Sequence, residues 1–538
     1  MAGSRWQADV VIVGAGSAGC ALAGRLSENP ALKVLLVEAG QPSANPWLQI
    51  PIGYFKTVGH RDHDWGFQCE PDPAMGDRQL PWPRGKGLGG SSLINGMLYL
   101  RGHRKDYDQW SALGNAGWDW NSVLAYFQRS AHREQDAGPT CGQGGPLWVA
   151  NVPRDPLSDA FVAAAACTGV ARTENFNTGD NTGVGYFQMT TRGGRRMSSA
   201  RAYLEPARGR PNLQVLSGAQ ALRVIVEGGR ATGVEVLHEG SRCVLRANHE
   251  VVLSAGAIQS PQLLQLSGVG HADTLRALGI TPVADLHGVG ENLQDHLQVR
   301  PSYQCQGVET LNDIAHSRWR SAREFIRYVT TRTGSLRNGV YRAGAFLNVH
   351  PNSGDWPDVQ IHFGLVSFDR PHQPPHPFPG ITLSACLLRP ESRGSIRLAS
   401  ADPLRAPQIR SGYLSAESDR RMAVAMVRRM REIAATDPLA RLIVAEHEPG
   451  PELHADDQLL AWVRRRAGSI FHPVGTCAMG PDSDPSAVVD ARLRVRGLRG
   501  LRVVDGSVMP RIVSGNTNAP IIMIAEKAAD LMREDLAA

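Results

Sequence analysis

At 538 residues the chain exceeds what a single hydrophobic core organises, so at least two domains are expected. A hydrophobic share of 42% and a charged share of 20% are those of a globular protein, and no apolar run reaches the roughly 18 residues of a membrane span. The net charge of +6 is spread without a basic tract, which argues against a nucleic-acid partner.

The N-terminus, "MAGSRWQADVVIVGAG", passes almost directly into a strand without a signal-peptide layout, and a cytoplasmic protein is expected. The eight cysteines are scattered, with no CxxC pair and no zinc spacing, and read as buried free thiols. "ADVVIVGAGSAGCALAGRL" (8–26) combines an apolar β-type run with Gly14-x-Gly16-x-x-Gly19 and a helix of small residues. A second strand, "KVLLVEAG", carries Glu38 at its end, 19 residues after Gly19. This is a β-α-β dinucleotide-binding unit. Gly14 permits the tight turn, Gly16 lets the backbone approach a pyrophosphate, and Gly19 allows close helix–strand packing. The helix N-terminus offers N–H groups to phosphate, and Glu38 accepts from ribose hydroxyls while opposing the extra phosphate of NADP. The unit alone does not separate NAD from FAD.

A second glycine run follows, "PRGKGLGGSSLINGMLYLRG" (83–102), with five glycines between Gly85 and Gly96. Its bare N–H groups, serines and asparagine suit phosphate oxygens, a ribityl chain or a polar ring edge. A nicotinamide enzyme has no evident need of it, whereas a flavin packed against backbone has. Further along come "GAIQSPQLLQLSGVG" (256–270), "GVGENLQDH" (288–296), "FHPVGTCAMG" (471–480) and "LRVVDGSVMPRIVSGNTNAPIIMIAEKAADLM" (501–532). Taken by spacing alone, His472 is one of 17 histidines, and nothing separates Asn516 from Asn518.

Together and in this order, these segments resemble the glucose-methanol-choline (GMC) oxidoreductase family, choline and acceptor-linked alcohol dehydrogenases among them. The resemblance implies an α/β fold with a Rossmann-like FAD-binding domain of the glutathione-reductase type. It also implies a substrate-binding domain built on an antiparallel sheet with flanking helices. The FAD domain is expected from 1–150, 200–300 and 475–538, and the substrate domain from 151–199 and 301–474, with "PHQPPHPFPG" (371–380) as a surface loop of the latter.

The FAD contacts implied are Gly14, Gly16, Ser17, Ala18, Gly19, Glu38 and Ala39, then Arg84, Gly85, Gly87, Leu88, Gly89, Gly90, Ser91, Asn95, Gly96, Met97 and Leu98 of the loop. Val224 is expected to meet the adenine through its backbone, joined by Ala255, Gly256, Asp505, Gly506, Asn516, Thr517 and Asn518. Leu93 stands where some members carry a flavin-linking histidine, so a non-covalent FAD is expected. His472 is the expected base, its ordinary pKa near 6.5 suiting proton abstraction; Pro473 biases it to extended backbone. Asn516 orients the substrate oxygen, since an amide does not take the proton at neutral pH. Pro520 is expected at the first position of a helix whose N-terminus faces the flavin.

The implied activity is oxidation of a primary or secondary alcohol to an aldehyde or ketone, with electrons passed to a quinone, another acceptor or oxygen. A quinone-linked member would sit peripherally on a membrane. The alternative is a lyase of the same fold, of the hydroxynitrile lyase or fatty-acid photodecarboxylase type. Arg342, in "GVYRAGAFLNV", stands where choline-oxidising relatives carry a glutamate. It is expected either to meet a substrate carboxylate or to pair with a protein carboxylate outside the pocket.

Overall fold

The computed structural model describes residues 6–134, 138–350, 354–370 and 373–537. The apolar run at the N-terminus forms β1 (Gln7–Val13), followed by α1 (Ser17–Leu26) and β2 (Val34–Glu38), whose five residues are all buried. A Cβ on Gly19 would lie 1.9 Å from the Gly14 carbonyl oxygen, so only glycine lets α1 pack this close to the turn. The sheet continues through β3 (Leu213–Ser217), β4 (Ala219–Glu227), β5 (Arg230–His238) and β6 (Ser241–Leu253) in the order β3-β2-β1-β6-β5-β4. The strand Leu501–Val503 also pairs with β6 in parallel.

β6 joins two kinds of sheet. Its first half pairs antiparallel with β5, while its last residues, Glu250 to Leu253, run parallel to Val10–Val13 of β1. The parallel core is buried on both faces, as a doubly wound sheet requires. α2 (Gly256–Leu266) leaves the end of β6, and a C-terminal helix (Asn518–Ala537) packs against α1.

The second sheet is antiparallel. It comprises β7 (Leu297–Val299), β8 (Ser302–Cys305), β9 (Tyr341–Leu347), β10 (Val359–Gly364), β11 (Gly380–Leu387) and β12 (Ile443–Glu448), completed by Gly183–Tyr186 and Gly468–Ser469. β10 and β11 are buried along their whole length, and the amphipathic helix α3 (Glu417–Ala434) packs on β11. In the 371–380 segment, Pro371 and His372 lie outside the described residues; 373–379 is irregular and Gly380 already opens β11.

Two expectations need correction. The C-terminal helix, α4 (Asn518–Ala537), starts two residues before Pro520, which occupies its first turn, where a missing N–H still breaks no helical bond. Of the cysteines, Cys167, at the C-terminal end of a largely buried helix (Pro156–Cys167), is exposed, and Cys141 and Cys243 are half-buried. Among the described residues no helix is long and apolar enough to cross a membrane.

Candidate functional site

Two adjoining cavities lie between the sheets. The first runs along the C-terminal ends of β1 and β2, where open α/β sheets place ligands. Of the expected contacts it is lined by Gly14, Gly16, Ser17, Ala18, Glu38, Ala39, Arg84, Gly85, Gly90, Ser91, Ala255, Gly256, Asp505, Gly506 and Thr517. The second is lined by Ser17, Arg84, Ser91, Asn95, Gly96, Met97, Leu98, His472, Asn516, Thr517 and Asn518, with further residues of the second sheet. Ser17, Arg84, Ser91 and Thr517 belong to both, so one elongated ligand can occupy the pair.

The two glycine loops interlock. A Cβ on Gly90 (φ +51°) would fall 2.7 Å from Cα of Gly16, and Gly89 N–H donates to Ala15 O at 2.7 Å. Glu38 clamps them: its carboxylate accepts from backbone N–H of Ala15 (3.0 Å), Gly40 (2.8 Å) and Gly87 (2.9 Å). Burial nevertheless raises its pKa above the ordinary carboxylate value. Asp505 does the same for α2, accepting from Gly256 N–H (2.8 Å) and the Ser260 hydroxyl (2.6 Å). Gly19, Gly87, Leu88 and Gly89 are not among the described lining residues; they hold the loops in place behind it.

A dinucleotide fits this cradle. A Cβ on Gly16 would have no protein atom nearer than 3.8 Å, so the space beside it is open, and the N-terminus of α1 points there. The hydroxyl of Ser254, on the wall of the first cavity, is buried without a hydrogen-bond partner. Leu93 turns its side chain towards Gly87 and Gly89.

Where the second cavity meets the loop, His472 is buried and its ring is held from both ends. His296 Nε2 lies 3.1 Å from the Leu388 carbonyl, which only accepts, so Nε2 carries the hydrogen and Nδ1 a lone pair. His472 Nδ1–H therefore donates to His296 Nδ1 (3.0 Å), leaving the lone pair of His472 on Nε2. Asn516 Nδ2 donates to that Nε2 at 3.1 Å, and Gln360 Nε2 donates to Asn516 Oδ1 at 3.2 Å, fixing the amide.

The backbone is held as firmly. His472 N–H donates to Asp295 Oδ1 (2.7 Å), and the Arg84 guanidinium donates to Phe471 O (2.7 Å). Phe471 itself sits at φ +70°, a conformation an aromatic residue rarely adopts, immediately before the histidine. Burial, reinforced by His296, His362 and Arg84, lowers the pKa of His472 well below the imidazole value. Burial brings His296 down to about 3 and His362, on the cavity wall, down to about 4. The site thus presents a neutral imidazole whose Nε2 lone pair faces the cavity side and is held by the Asn516 amide.

The structure distinguishes Asn516 from Asn518: Asn518 Oδ1 accepts from the Ser17 hydroxyl at 2.7 Å, tying α4 to the first fingerprint. Val224 is not on the described lining, and of the two readings of Arg342 the structure shows the pairing with a protein carboxylate outside the pocket. Val224 is buried and its N–H is taken by the Ser267 hydroxyl at 2.8 Å; the part of β4 lining the first cavity is Ala219–Ala221. Arg342 pairs with Asp155 (3.5 Å) on the opposite face of β9 from Tyr341, which lines the second cavity. The arginines on that lining are Arg84 and Arg300. Sequence reasoning assigned no role to His296, Asp295, Gln360, His362, Gln298 or Arg300. "GVGENLQDH" contained the first two, but nothing local marked their partner His472, 176 and 177 residues away.

Residues 8–298 and 390–525 match the two family models described as GMC oxidoreductase. An oxygen-dependent choline dehydrogenase from Brucella anthropi is 41% identical over 525 residues, covering 97% of this chain and 95% of that protein. An alcohol dehydrogenase [acceptor] from Pseudomonas putida is 41% identical over 529 residues with the same coverage. Among solved structures, pyridoxine 4-oxidase from Mesorbium loti superposes with a TM-score of 0.88 at 32% identity, covering 98% of this chain and 99% of that one. A fungal aryl-alcohol oxidase gives 0.88 at 25% identity over 99% of this chain and 100% of that one.

Proposed function

The chain belongs to the GMC oxidoreductase family, FAD-dependent enzymes acting on CH–OH donors, and we propose that His472 is the base that takes the hydroxyl proton of its alcohol substrate. The observation that carries this reading is the lone pair on His472 Nε2, fixed by the His296 Nδ1 contact at 3.0 Å. Bound FAD supplies the acceptor for the hydride of the carbinol carbon. The alcohol loses that hydride and one proton and leaves as an aldehyde or ketone.

His472 is neutral at pH 7 because its pKa is depressed, so it needs no prior deprotonation. Asn516 Nδ2 has a second hydrogen to donate to the substrate oxygen as negative charge grows there. The N-terminus of α4, with Thr517 and Asn518 on the cavity wall, adds positive potential on the same side. Aromatic walls, Tyr54, Phe55, Phe368 and Phe471 among them, exclude water from the reacting atoms.

FAD is held without a covalent bond, since Leu93 offers no nucleophile, and the discontinuous domain division set out from sequence is retained. The electrons pass to a quinone, another acceptor or oxygen, with a non-oxygen acceptor favoured; the Pseudomonas putida relative is named for an acceptor and the Brucella anthropi one as oxygen-dependent. Choline is disfavoured because no aspartate or glutamate is among the described residues lining the second cavity. The test is the visible spectrum of the anaerobic protein before and after a panel of alcohols, choline included. Bleaching of the flavin band by an alcohol supports the reading, and slow recovery in air supports the acceptor. An oxidised band that survives every alcohol refutes it.

A further inference from the structure

The second cavity holds a positive charge that nothing opposes. Two arginines are among its described lining residues and no carboxylate is. Arg84 is engaged: it donates to Pro83 O (2.6 Å) and Phe471 O (2.7 Å), and the carboxylates of Asp295 and Asp64 act on it. Arg300 is different. Among the described residues it has no hydrogen-bond or ion-pair partner, and only the Tyr341 phenol is close enough to influence its charge.

Other buried arginines here are paired. Arg502 meets Glu250 at 2.7 Å, Arg196 meets Asn95 Oδ1 at 2.7 Å, and Arg101 donates to Thr140 O at 2.6 Å. Arg300 is half-buried, and its unpaired guanidinium is open to the cavity it lines. The planar fork of arginine matches a carboxylate in two-point contact, and the partial enclosure of the cavity strengthens that contact over one in open water.

The position of Arg300 defines where the anion sits. His296, Gln298 and Arg300 are spaced two apart on the extended segment around β7, and so share one face. His296 touches the base, while Gln298 and Arg300 line the cavity. Arg300 is four residues along from His296, and its guanidinium reaches back beside Gly468, which pairs with Gln298. Unlike Arg84, it is not among the charges that act on His472, so the charge to be bound lies away from the reacting hydroxyl. Between them the walls are apolar and aromatic, with Tyr54, Phe55, Ile94, Phe368 and Tyr341.

Building on the alcohol-oxidation reading, we propose that the substrates are alcohols carrying a carboxylate at the end remote from the hydroxyl, joined by an aromatic or aliphatic body, and that Arg300 binds the carboxylate. The test compares 4-(hydroxymethyl)benzoate with its methyl ester, which share one reacting carbon. With anaerobic holoenzyme, the acid is expected to reduce the flavin with a kcat/KM about 10- to 100-fold above the ester, the difference residing in KM. Arg300→Gln should bring the acid-to-ester ratio towards one, and Arg300→Lys should keep part of it. Equal rates for the two compounds in the unmodified enzyme overturn the proposal, as does a ratio that Arg300→Gln leaves in place.

Calorimetric titration with benzoate reads the same subsite without turnover, and binding lost in Arg300→Gln is expected. If neither alcohol bleaches the flavin yet benzoate binds through Arg300, the oxidation reading fails and the anion subsite stands. If both alcohols bleach it equally and benzoate does not bind, the oxidation reading stands and the subsite falls.

Discussion

Replacing His296 by leucine removes the atom that keeps the lone pair of His472 on the substrate side. In the native site the Leu388 carbonyl, His296 and His472 form one directional chain through contacts of 3.1 and 3.0 Å. Leucine accepts nothing, so the Nδ1–H of His472 is left buried and unsatisfied. That costs about 1–3 kcal/mol, and the ring escapes it by moving its hydrogen to Nε2, where it no longer acts as a base. At 1.36 kcal/mol per decade, kcat should fall about 5- to 150-fold, with KM little changed. His296→Gln provides an amide oxygen for His472 and an N–H for Leu388, and should stay within about 5-fold of wild type. Stopped-flow flavin reduction under anaerobic conditions with a saturating alcohol measures both. If His296→Leu reduces the flavin at the wild-type rate, or if leucine and glutamine variants are equally slow, the tautomer argument is wrong.

His296, His362 and His472 all have folded pKa values below the ordinary 6.5, so the unfolded chain binds more protons once the pH falls beneath it. Stability is therefore lost from pH 6.5 downward. For His362 the loss continues to about pH 4. Urea unfolding of His362→Gln between pH 6 and 5 should show a pH slope shallower by about 1 kcal/mol per unit than wild type; identical slopes contradict it. Glu38→Gln leaves one acceptor oxygen for three backbone donors and should weaken FAD retention about 10- to 100-fold, read as flavin released on dilution. Unchanged retention would remove Glu38 from its clamping role. Acid precipitation should send the yellow colour into the supernatant; colour in the pellet would show a covalent flavin.

The nucleotide half of the site was legible because its determinants are local. Gly14, Gly16, Gly19 and Glu38 lie on one β-α-β unit, and the second loop declares itself by glycines that must nest against Gly16. The substrate half was less legible, for reasons visible in particular strands. Val224 was assigned to the adenine side, but the pairing of β4 with β5 slips between Ala221 and Arg223, and such a slip changes which residues face the cavity. A similar slip between Tyr341 and Ala343 precedes a strand otherwise buried on both faces. No polar–apolar alternation therefore reveals that Tyr341 faces the cavity and Arg342 faces Asp155. His362 and Gln360 arrive at Asn516 across the sheet, a proximity set by β10 and not by any spacing along the chain.

The most direct measurement is flavin reduction by one alcohol and its carbinol-deuterated form, in the wild type and in His472→Gln. The account predicts a primary isotope effect in both proteins. It also predicts a rate about 10²- to 10⁴-fold lower in the variant, recovering as rising pH supplies alkoxide from solution. Wild-type rates in His472→Gln, or product formed with no isotope effect and no reduced flavin, would contradict it.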